Sequence, residues 1–425
     1  MDWTIATIAV ALLAFTAVSG RVDGTPLTPA IAFVAFGLHV GPEALGLLEP
    51  SSQGEWVKLL AEATLTVVLF ADASRIDLRA LRREIGIPAR LLGIGLPLTL
   101  VAGLVAGVAL FGDLAWPEAL LLAVILAPTD AALGQAVVTL PRLPSRIRQG
   151  LNVESGLNDG ICVPIFLVVL AVAEAEEGAI GDGAAVRLVA EQIGYGLVGG
   201  AVAGAIAAAV IVTARRHADV DAAWLQIGPA AGAALAYGIA TPIGGSGLIA
   251  AFVGGMVFGG LLRGRAEESA QMLEEAGAAL GAVTFVVFGA VLLGPTLGHV
   301  TAAIAVYAVV SLTLVRMLPV ALALIDAGTR RPTARFLGWF GPRGLASIVF
   351  AILLAEESDL PNEETILRTV FLTVGLSVLA HGLTAAPLAK RYASWFEANP
   401  RDRVQAEAVE VTDTRLRGSR DVRPG

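Results

Sequence analysis

Four acidic side chains of this sequence lie within or at the edges of long apolar segments. Asp72 ends the run "TVVLFAD", Asp130 interrupts "LLLAVILAPTDAALGQAVV", and Glu154 and Asp159 begin "VESGLNDGICVPIF". An ionisable group at the centre of a bilayer costs about 2.5–3.5 kcal/mol on insertion scales, so such groups usually face a partner or a water-filled cavity. The four acids therefore predict a polar chamber inside an apolar protein.

The stretch "APTDAA" predicts a break in the helix that contains Asp130. Pro128 removes a backbone donor and disfavours helix at the preceding residue, while Thr129 and Asp130 are good residues to begin a new helical segment. Backbone groups that are freed inside a membrane are tolerated only where they line a cavity. Free carbonyls, a hydroxyl and a carboxylate together form an oxygen-rich site that suits a hard cation. The alternative interpretation is a proline kink in which Asp130 only caps the second half-helix.

Helical spacing divides the polar residues of "VESGLNDG" between two neighbouring faces. Ser155 and Asp159 share one face and offer oxygen ligands, whereas Glu154 and Asn158 share the next face. We expect Glu154 to form a structural ion pair with Arg343 of "WFGPRGLASIVFAILLA", because a buried Arg without a carboxylate would be very costly. Asp159 is then the predicted working acid. Its alternative role is that of a carboxylate stabilised at a helix N-terminus by the helix dipole.

The composition places these residues in a membrane protein. Of the 425 residues, 56% are hydrophobic and 16% are charged, against roughly 25% charged in a soluble protein. Apolar runs of about 20 residues recur, which is the length that a helix needs to cross roughly 30 Å of hydrocarbon. The first run, "WTIATIAVALLAF", lacks the features of a cleaved signal peptide and is predicted to be retained. The single Cys rules out a disulfide framework.

About thirteen membrane spans are predicted, and the charges of the loops between them alternate. One set of loops carries Arg or Lys, and the intervening loops carry neither. The positive-inside rule then places the N-terminus outside and the C-terminus in the cytoplasm. Residues 1–395 are predicted to form one transmembrane domain, and the polar residues 396–425 a cytoplasmic tail that is too poor in apolar residues to fold. The predicted spans are 4–20, 27–41, 56–73, 86–111, 116–140, 151–173, 187–213, 222–241, 245–262, 276–297, 299–325, 335–355 and 364–388.

The ordered motifs "PTD", "ESGLND" and "GPRG" resemble those of the monovalent cation/proton antiporters, which include the NhaP-type sodium/proton antiporters and the sodium/hydrogen exchangers. The resemblance covers residues 1–395. It implies an all-α dimer of thirteen-helix subunits, each with two inverted six-helix repeats and an unwound pair of crossing helices at the ion site. Two departures from the family pattern are "ADASRIDL" in place of a Glu-Gly pattern, and Gly156 where many relatives have Leu.

Carried over by position, the resemblance assigns roles to individual residues. It implies that Asp159 is the transport acid with Asn158 as its partner, and that Glu154 and Arg343 form a buried pair. The implied cation ligands are Thr129, Asp130, Ser155, Asp159 and Asp72.

The predicted function is secondary antiport of protons against Na⁺ at the cell membrane, serving pH homeostasis, with proton and cation competing at Asp159 and Asp130. With Asn158 beside the acid, exchange is predicted to be electroneutral. No enzymatic activity, cofactor or nucleic-acid partner is expected. Selectivity among Na⁺, K⁺ and Li⁺ stays open, and K⁺/H⁺ antiport is one alternative. A cation channel or sensor is another, although the sequence lacks a "TVGYG"-like filter, and an intramembrane hydrolase with paired aspartates is a third.

Other conspicuous features of the sequence receive structural interpretations. The segment "TPIGGSGLIAAFVGGMVFGG" lacks the Lys-Ser/Thr of a phosphate-binding loop, so its glycines are expected at helix contacts. The four His residues lack the paired spacing of a zinc site, and we expect them to have ordinary hydrogen-bonding roles, although His39 and His381 lie where they could titrate near neutral pH. Arg316 lies inside an apolar segment and has no predicted partner.

Overall fold

The computed structural model describes residues 2–22, 25–48, 54–76, 86–178, 181–216, 221–262 and 266–399. Within these ranges we number fifteen helices, and α4, α11 and α12 each contain one π-helical turn. Their bounds are α1 Asp2–Val22, α2 Pro29–Val40, α3 Gly54–Ser74, α4 Gly86–Leu110, α5 Trp116–Ile125, α6 Gln135–Val138, α7 Ser145–Glu176, α8 Asp182–Arg216, α9 Ala222–Ala240, α10 Gly247–Leu262, α11 Ala266–Leu297, α12 Ala302–Ala323, α13 Arg331–Trp339, α14 Leu345–Glu357 and α15 Glu363–Ala398.

Seven of the described helices (α1, α4, α7, α8, α11, α12 and α15) are long and apolar enough to cross a membrane, and α2, α5 and α10 are shorter apolar helices. The prediction of an all-α multi-pass membrane protein is therefore confirmed. The helices follow the predicted spans in order, while the total of thirteen and the inverted repeat stay predictions. α15 continues to Ala398 instead of ending near residue 388, and residues 400–425, most of the predicted tail, lie outside the described residues.

Two of the predicted spans are interrupted by non-helical backbone. In the span predicted at 116–140, α5 ends and the chain runs without regular helix through residues 126–134, as "APTDAA" predicted. The span predicted at 335–355 is interrupted too, at residues 340–344 between α13 and α14. We call these stretches the first and the second unwound segment. The local pattern predicted only the first, while the resemblance implied a pair.

Glycines let the backbones of neighbouring helices touch, and this fixes the position of α3, the helix that carries Asp72. A Cβ on Gly255 or Gly259 of α10 would collide with the backbone of Phe70 or Ser74 on α3. The expectation that the glycine-rich segment serves helix contacts is confirmed. Close backbone approach of this kind is typical of helices that associate in membranes.

Candidate functional site

The two unwound segments cross and are hydrogen-bonded to each other through Asp130. The Asp130 N–H donates to the carbonyl of Pro342 (2.8 Å), and Oδ2 accepts from the N–H of Leu345 (3.1 Å). Oδ1 accepts from the N–H of Ala132 (2.8 Å), and the residue is only 7% exposed. Asp130 therefore caps a helix, but the helix is α14 of the second interrupted span, whose positive N-terminal end a carboxylate stabilises.

Residues of α7 hold the first unwound segment in place. Asn158 Nδ2 donates to Thr129 Oγ1 (2.7 Å), and the Thr129 N–H donates to Asn158 Oδ1 (3.4 Å). Ser155 Oγ, one turn earlier on α7, donates to the carbonyl of Thr129. An amide suits position 158 because it donates and accepts at the same time. All three residues are buried.

The predicted ion pair between Glu154 and Arg343 is wrong. Arg343 is fully buried, and its Nη1 donates to the carbonyls of Ala127 (2.9 Å) and Pro128 (3.4 Å), just beyond the end of α5. Glu154 Oε1 lies instead 2.6 Å from Nη1 of Arg316. The reason is that the helix break frees the carbonyls just beyond the end of α5, and their partial negative charge serves Arg343 instead of a carboxylate.

Arg316 of α12 is thus the cation that Glu154 of α7 neutralises. Their side chains are 4% and 3% exposed, so both charges are removed from water. Arg316 also packs against the second unwound segment, where a Cβ on Gly341 would collide with its guanidinium. The apolar surroundings of Arg316 in the sequence indicated that it needed a partner, but only the contact between α7 and α12 in the structure identifies Glu154 as that partner.

A cavity of about 20 Å³ lies beside the crossing, which is space for about one water-sized particle. Three of the predicted cation ligands, Thr129, Asp130 and Ser155, line it together. The rest of its wall consists of Ala131, Gly134, Val137, Leu151, Phe340 and Pro342.

Asp159 and Asp72 adjoin this site without lining the cavity. Asp159 is 8% exposed and lies one helical turn beyond Ser155 on α7. Asp72 is half-buried at the end of α3, and its Cβ lies 3.6 Å from the place where a Cβ of Gly156 would stand. In the ranges that the structure describes, no three His, Cys, Asp or Glu side chains converge as metal ligands do. The structure thus brings Thr129, Asp130 and Ser155 together and leaves the other two acids beside them.

The sequence did not indicate the role of Glu118 or the partners of His381. Glu118, 2% exposed, accepts hydrogen bonds from Ala115 N–H, Asn362 N–H and Asn362 Nδ2, and so joins the start of α5 to the start of α15. A capping pattern was visible here, because an acid at the third helical position often binds back to the residue before the helix. His381, expected to have an ordinary hydrogen-bonding role, contacts Trp339 and Ser377 next to the second unwound segment.

These features define a multi-pass helical membrane protein with a small cavity, lined in part by a carboxylate and two hydroxyl-bearing residues, where two interrupted helices cross. The sequence model described as "Sodium/hydrogen exchanger, transmembrane" matches residues 8–391. The chain therefore belongs to the sodium/hydrogen exchanger family.

Curated relatives agree with this assignment. The chain is 26% identical over 385 residues to the K⁺/H⁺ antiporter NhaP of Alkalimonas amylolytica, covering 88% of this chain and 64% of that protein. It is 28% identical over 348 residues to the Na⁺/H⁺ antiporter NhaP of Pseudomonas aeruginosa, with 77% and 79% covered. The matched region is only 43–64% of the length of the Alkalimonas protein and two yeast Na⁺/H⁺ antiporters.

The structure of the sodium proton antiporter MjNhaP1 from Methanocaldococcus jannaschii at pH 8 superposes with a TM-score of 0.74. The identity is 21%, and the match covers 89% of this chain and 98% of that one. The two proteins share a fold.

Proposed function

We propose that the protein is a secondary antiporter that exchanges protons for a monovalent cation, with Na⁺ as the first candidate. The observation that carries this proposal is the cavity at the crossing. The cavity has space for one small particle. Its wall includes the carboxylate of Asp130 and two residues that carry hydroxyls, Thr129 and Ser155. The oxygens of these three residues suit a hard cation. Relatives with Na⁺/H⁺ and K⁺/H⁺ names support transport rather than enzymatic activity, and K⁺ is the second candidate substrate.

The proposed mechanism is competition between a proton and a cation for one acid, Asp159. A carboxylate that is 8% exposed loses most of its hydration, so its charge is costly unless a proton or a cation neutralises it. Only the neutralised site would then move between the two faces of the membrane. Asp130, Thr129 and Ser155 would complete the coordination of the cation, and Asp72 would lie at the edge of its path.

The charges of the loops support an orientation in the cell membrane. The loops that carry Arg and Lys would lie in the cytoplasm, with the N-terminus outside and the C-terminus inside. The resemblance supports a homodimer. Apolar side chains that are exposed on α1, such as Trp3, Ile5 and Leu13, would then face lipid or the second subunit.

The test is proton movement in proteoliposomes that contain the purified protein. A pH gradient is imposed, and its dissipation is followed while Na⁺, K⁺ and Li⁺ are titrated in turn. Wild type should respond to at least one of them. Asp159→Asn should abolish the response, because an amide cannot exchange a proton, and the protein should still fold. Glu177→Gln, an exposed acid at the end of the same helix, is the matched control and should behave as wild type.

Two results would contradict the proposal. Cation-driven proton movement that persists in Asp159→Asn would remove Asp159 from its proposed role. Cation flux through the wild-type protein without any accompanying proton movement would replace the antiporter with a channel.

A further inference from the structure

One face of α15 carries three polar side chains that bind the ends of the second unwound segment. They are Ser377, His381 and Thr384, which share a face because they follow one another at helical spacing. Ser377 is 0% and His381 1% exposed. Such deeply buried polar groups are costly unless every one of them is hydrogen-bonded.

The contacts hold both sides of the second unwound segment. At its C-terminal side, the Arg343 N–H donates to Ser377 Oγ (2.7 Å). At its N-terminal side, His381 Nε2 lies 2.9 Å from the Trp339 carbonyl, and Trp339 Nε1 donates to Thr384 Oγ1 (3.0 Å). The Trp339 and His381 rings also pack together, with centroids 5.0 Å apart.

Both ring nitrogens of His381 face hydrogen-bond acceptors. A carbonyl only accepts, so the contact of Nε2 with Trp339 requires a hydrogen on Nε2. Nδ1 lies 3.0 Å from the Ser377 carbonyl and 3.1 Å from Ser377 Oγ. His381 is therefore held on both sides, by Trp339 and by Ser377, and Ser377 Oγ also accepts from the Arg343 N–H.

The segment between these anchors supplies the backbone groups that hold Asp130. Pro342, inside the segment, accepts from the Asp130 N–H, and Leu345, directly after it, donates to Oδ2. A shift of the segment therefore shifts the carboxylate that lines the cavity. Gly344 transmits such a shift directly, since a Cβ at that position would already overlap the Asp130 side chain.

We propose that His381 and Ser377 are positioning residues for the cation site: they hold the second unwound segment against α15 and so fix the Asp130 carboxylate. Neither residue lines the cavity. The expected effect on cation exchange rests on the proposed function, whereas the expected effect on amide hydrogen exchange of the segment does not.

The test compares variants that remove or preserve the donor to Trp339. His381→Leu removes it, and His381→Gln keeps an amide N–H that reaches the same carbonyl. Losing one hydrogen bond of this kind is expected to raise the Na⁺ concentration for half-maximal exchange about five- to tenfold, with the maximal rate changed less. Gln should recover most of the loss. Ser377→Ala, which leaves the Arg343 N–H without its acceptor, should resemble His381→Leu.

The matched control is Thr373→Val. Thr373 is also 0% exposed on α15, but its hydroxyl donates only to the carbonyl of Thr369 in the same helix. This variant loses a buried hydroxyl without touching the unwound segment, so its half-saturating Na⁺ concentration should stay at the wild-type value.

Amide hydrogen exchange of the purified protein provides the readout that does not require transport. The peptide over residues 340–346 should exchange faster in His381→Leu and Ser377→Ala than in wild type or Thr373→Val. NaCl, or KCl if K⁺ is the substrate, should slow this exchange relative to choline chloride, and it should do so in wild type at lower concentrations than in the two variants.

The outcomes separate the inference from the proposed function. Sodium protection without proton exchange in wild type would overturn the antiport proposal and leave the positioning role supported. Unchanged sodium dependence in His381→Leu, or a loss of maximal rate that Gln does not recover, would overturn the positioning role. Wild-type protein whose peptide 340–346 ignores both Na⁺ and K⁺ would overturn both.

Discussion

Arg316 and Arg343 are both buried, yet negative charges of different kinds balance them. Arg316 meets the full charge of the Glu154 carboxylate, while Arg343 meets the partial charges of the Ala127 and Pro128 carbonyls. The first arrangement ties α7 to α12, and the second stabilises backbone that the helix break has freed. Each arginine therefore stabilises a different junction of the site.

Removing Arg316 should destabilise the protein strongly. Arg316→Met leaves Glu154 buried without a cation, which costs about 3–5 kcal/mol for a buried pair. Adding Glu154→Gln should recover part of the loss, because the stranded charge is gone. Thermal unfolding in detergent measures both effects. Arg142→Gln is the control, since the pair Arg142–Glu397 has side chains that are 55% and 49% exposed and contributes little to stability. A melting temperature of Arg316→Met equal to that of wild type would contradict the assignment.

The sequence could reveal which residues need partners but not which partners they find. An acid or an arginine inside an apolar run stands out in a single sequence, and Asp130, Glu154 and Arg316 were noticed in this way. Glu154 and Arg316 lie on helices that are remote in the sequence, and their meeting depends on how α7 and α12 pack. No local spacing encodes that contact, so the simpler pairing with Arg343 was wrong.

At the scale of the elements, the crossing of the two unwound segments defines the site. Pro128 predicted the first break, because a proline inside an apolar helix frees backbone groups. The second break carried a signal as well, since the dipeptide Gly341-Pro342 is typical of turns. The signal was weaker because the long apolar run that follows it, "LASIVFAILLA", favours an uninterrupted helix. His381 belongs to α15, and Glu118 contacts the start of α15. The local sequence does not show that α15 packs against the two interrupted spans, so these contacts could not be predicted.

Gly344→Ala should disable the crossing. A Cβ at position 344 would overlap the carboxylate of Asp130, so Asp130 must leave the Leu345 N–H that it caps. We expect cation-driven exchange to fall at least tenfold, measured in the proteoliposome assay, with some loss of thermal stability from the lost cap, about 0.5–2 kcal/mol.

The control for this variant is Gly194→Ala in α8, where an added Cβ meets nothing within 4 Å. Alanine in a helix interior is more favourable than glycine by about 0.5–1 kcal/mol, so this variant should be active and slightly more stable. Full activity in Gly344→Ala would show that the capping contact is dispensable.

At the scale of the whole molecule, the number of titrating acids determines whether exchange moves net charge. Asn158 is hydrogen-bonded to Thr129, and its amide group does not titrate. One proton released at Asp159 should therefore balance one Na⁺. With a clamped pH gradient, Na⁺-driven exchange in proteoliposomes should not respond to a K⁺/valinomycin potential of either sign, once K⁺ is shown not to be a substrate. A rate that follows the sign of the potential would identify Asp130 as a second proton carrier.

Asn158→Asp is the complementary variant. A carboxylate can accept from both the N–H and the hydroxyl of Thr129, so the first unwound segment should keep its shape. The added acid should make exchange respond to the membrane potential. A variant that folds and still ignores the potential would show that position 158 has no influence on the charge balance.

The contact between Glu154 of α7 and Arg316 of α12 can form only after both helices have been synthesised. α7 leaves the ribosome well before α12, and at about 5–20 residues per second the chain between the two residues takes roughly ten to thirty seconds to make. Throughout that interval Glu154 lacks its partner Arg316. It must carry a proton or stay near water, because an unpaired carboxylate in hydrocarbon is too costly. We therefore expect the partly made protein to be most sensitive to proteolysis while α8 to α11 are being inserted, and the arrival of α12 to end that period.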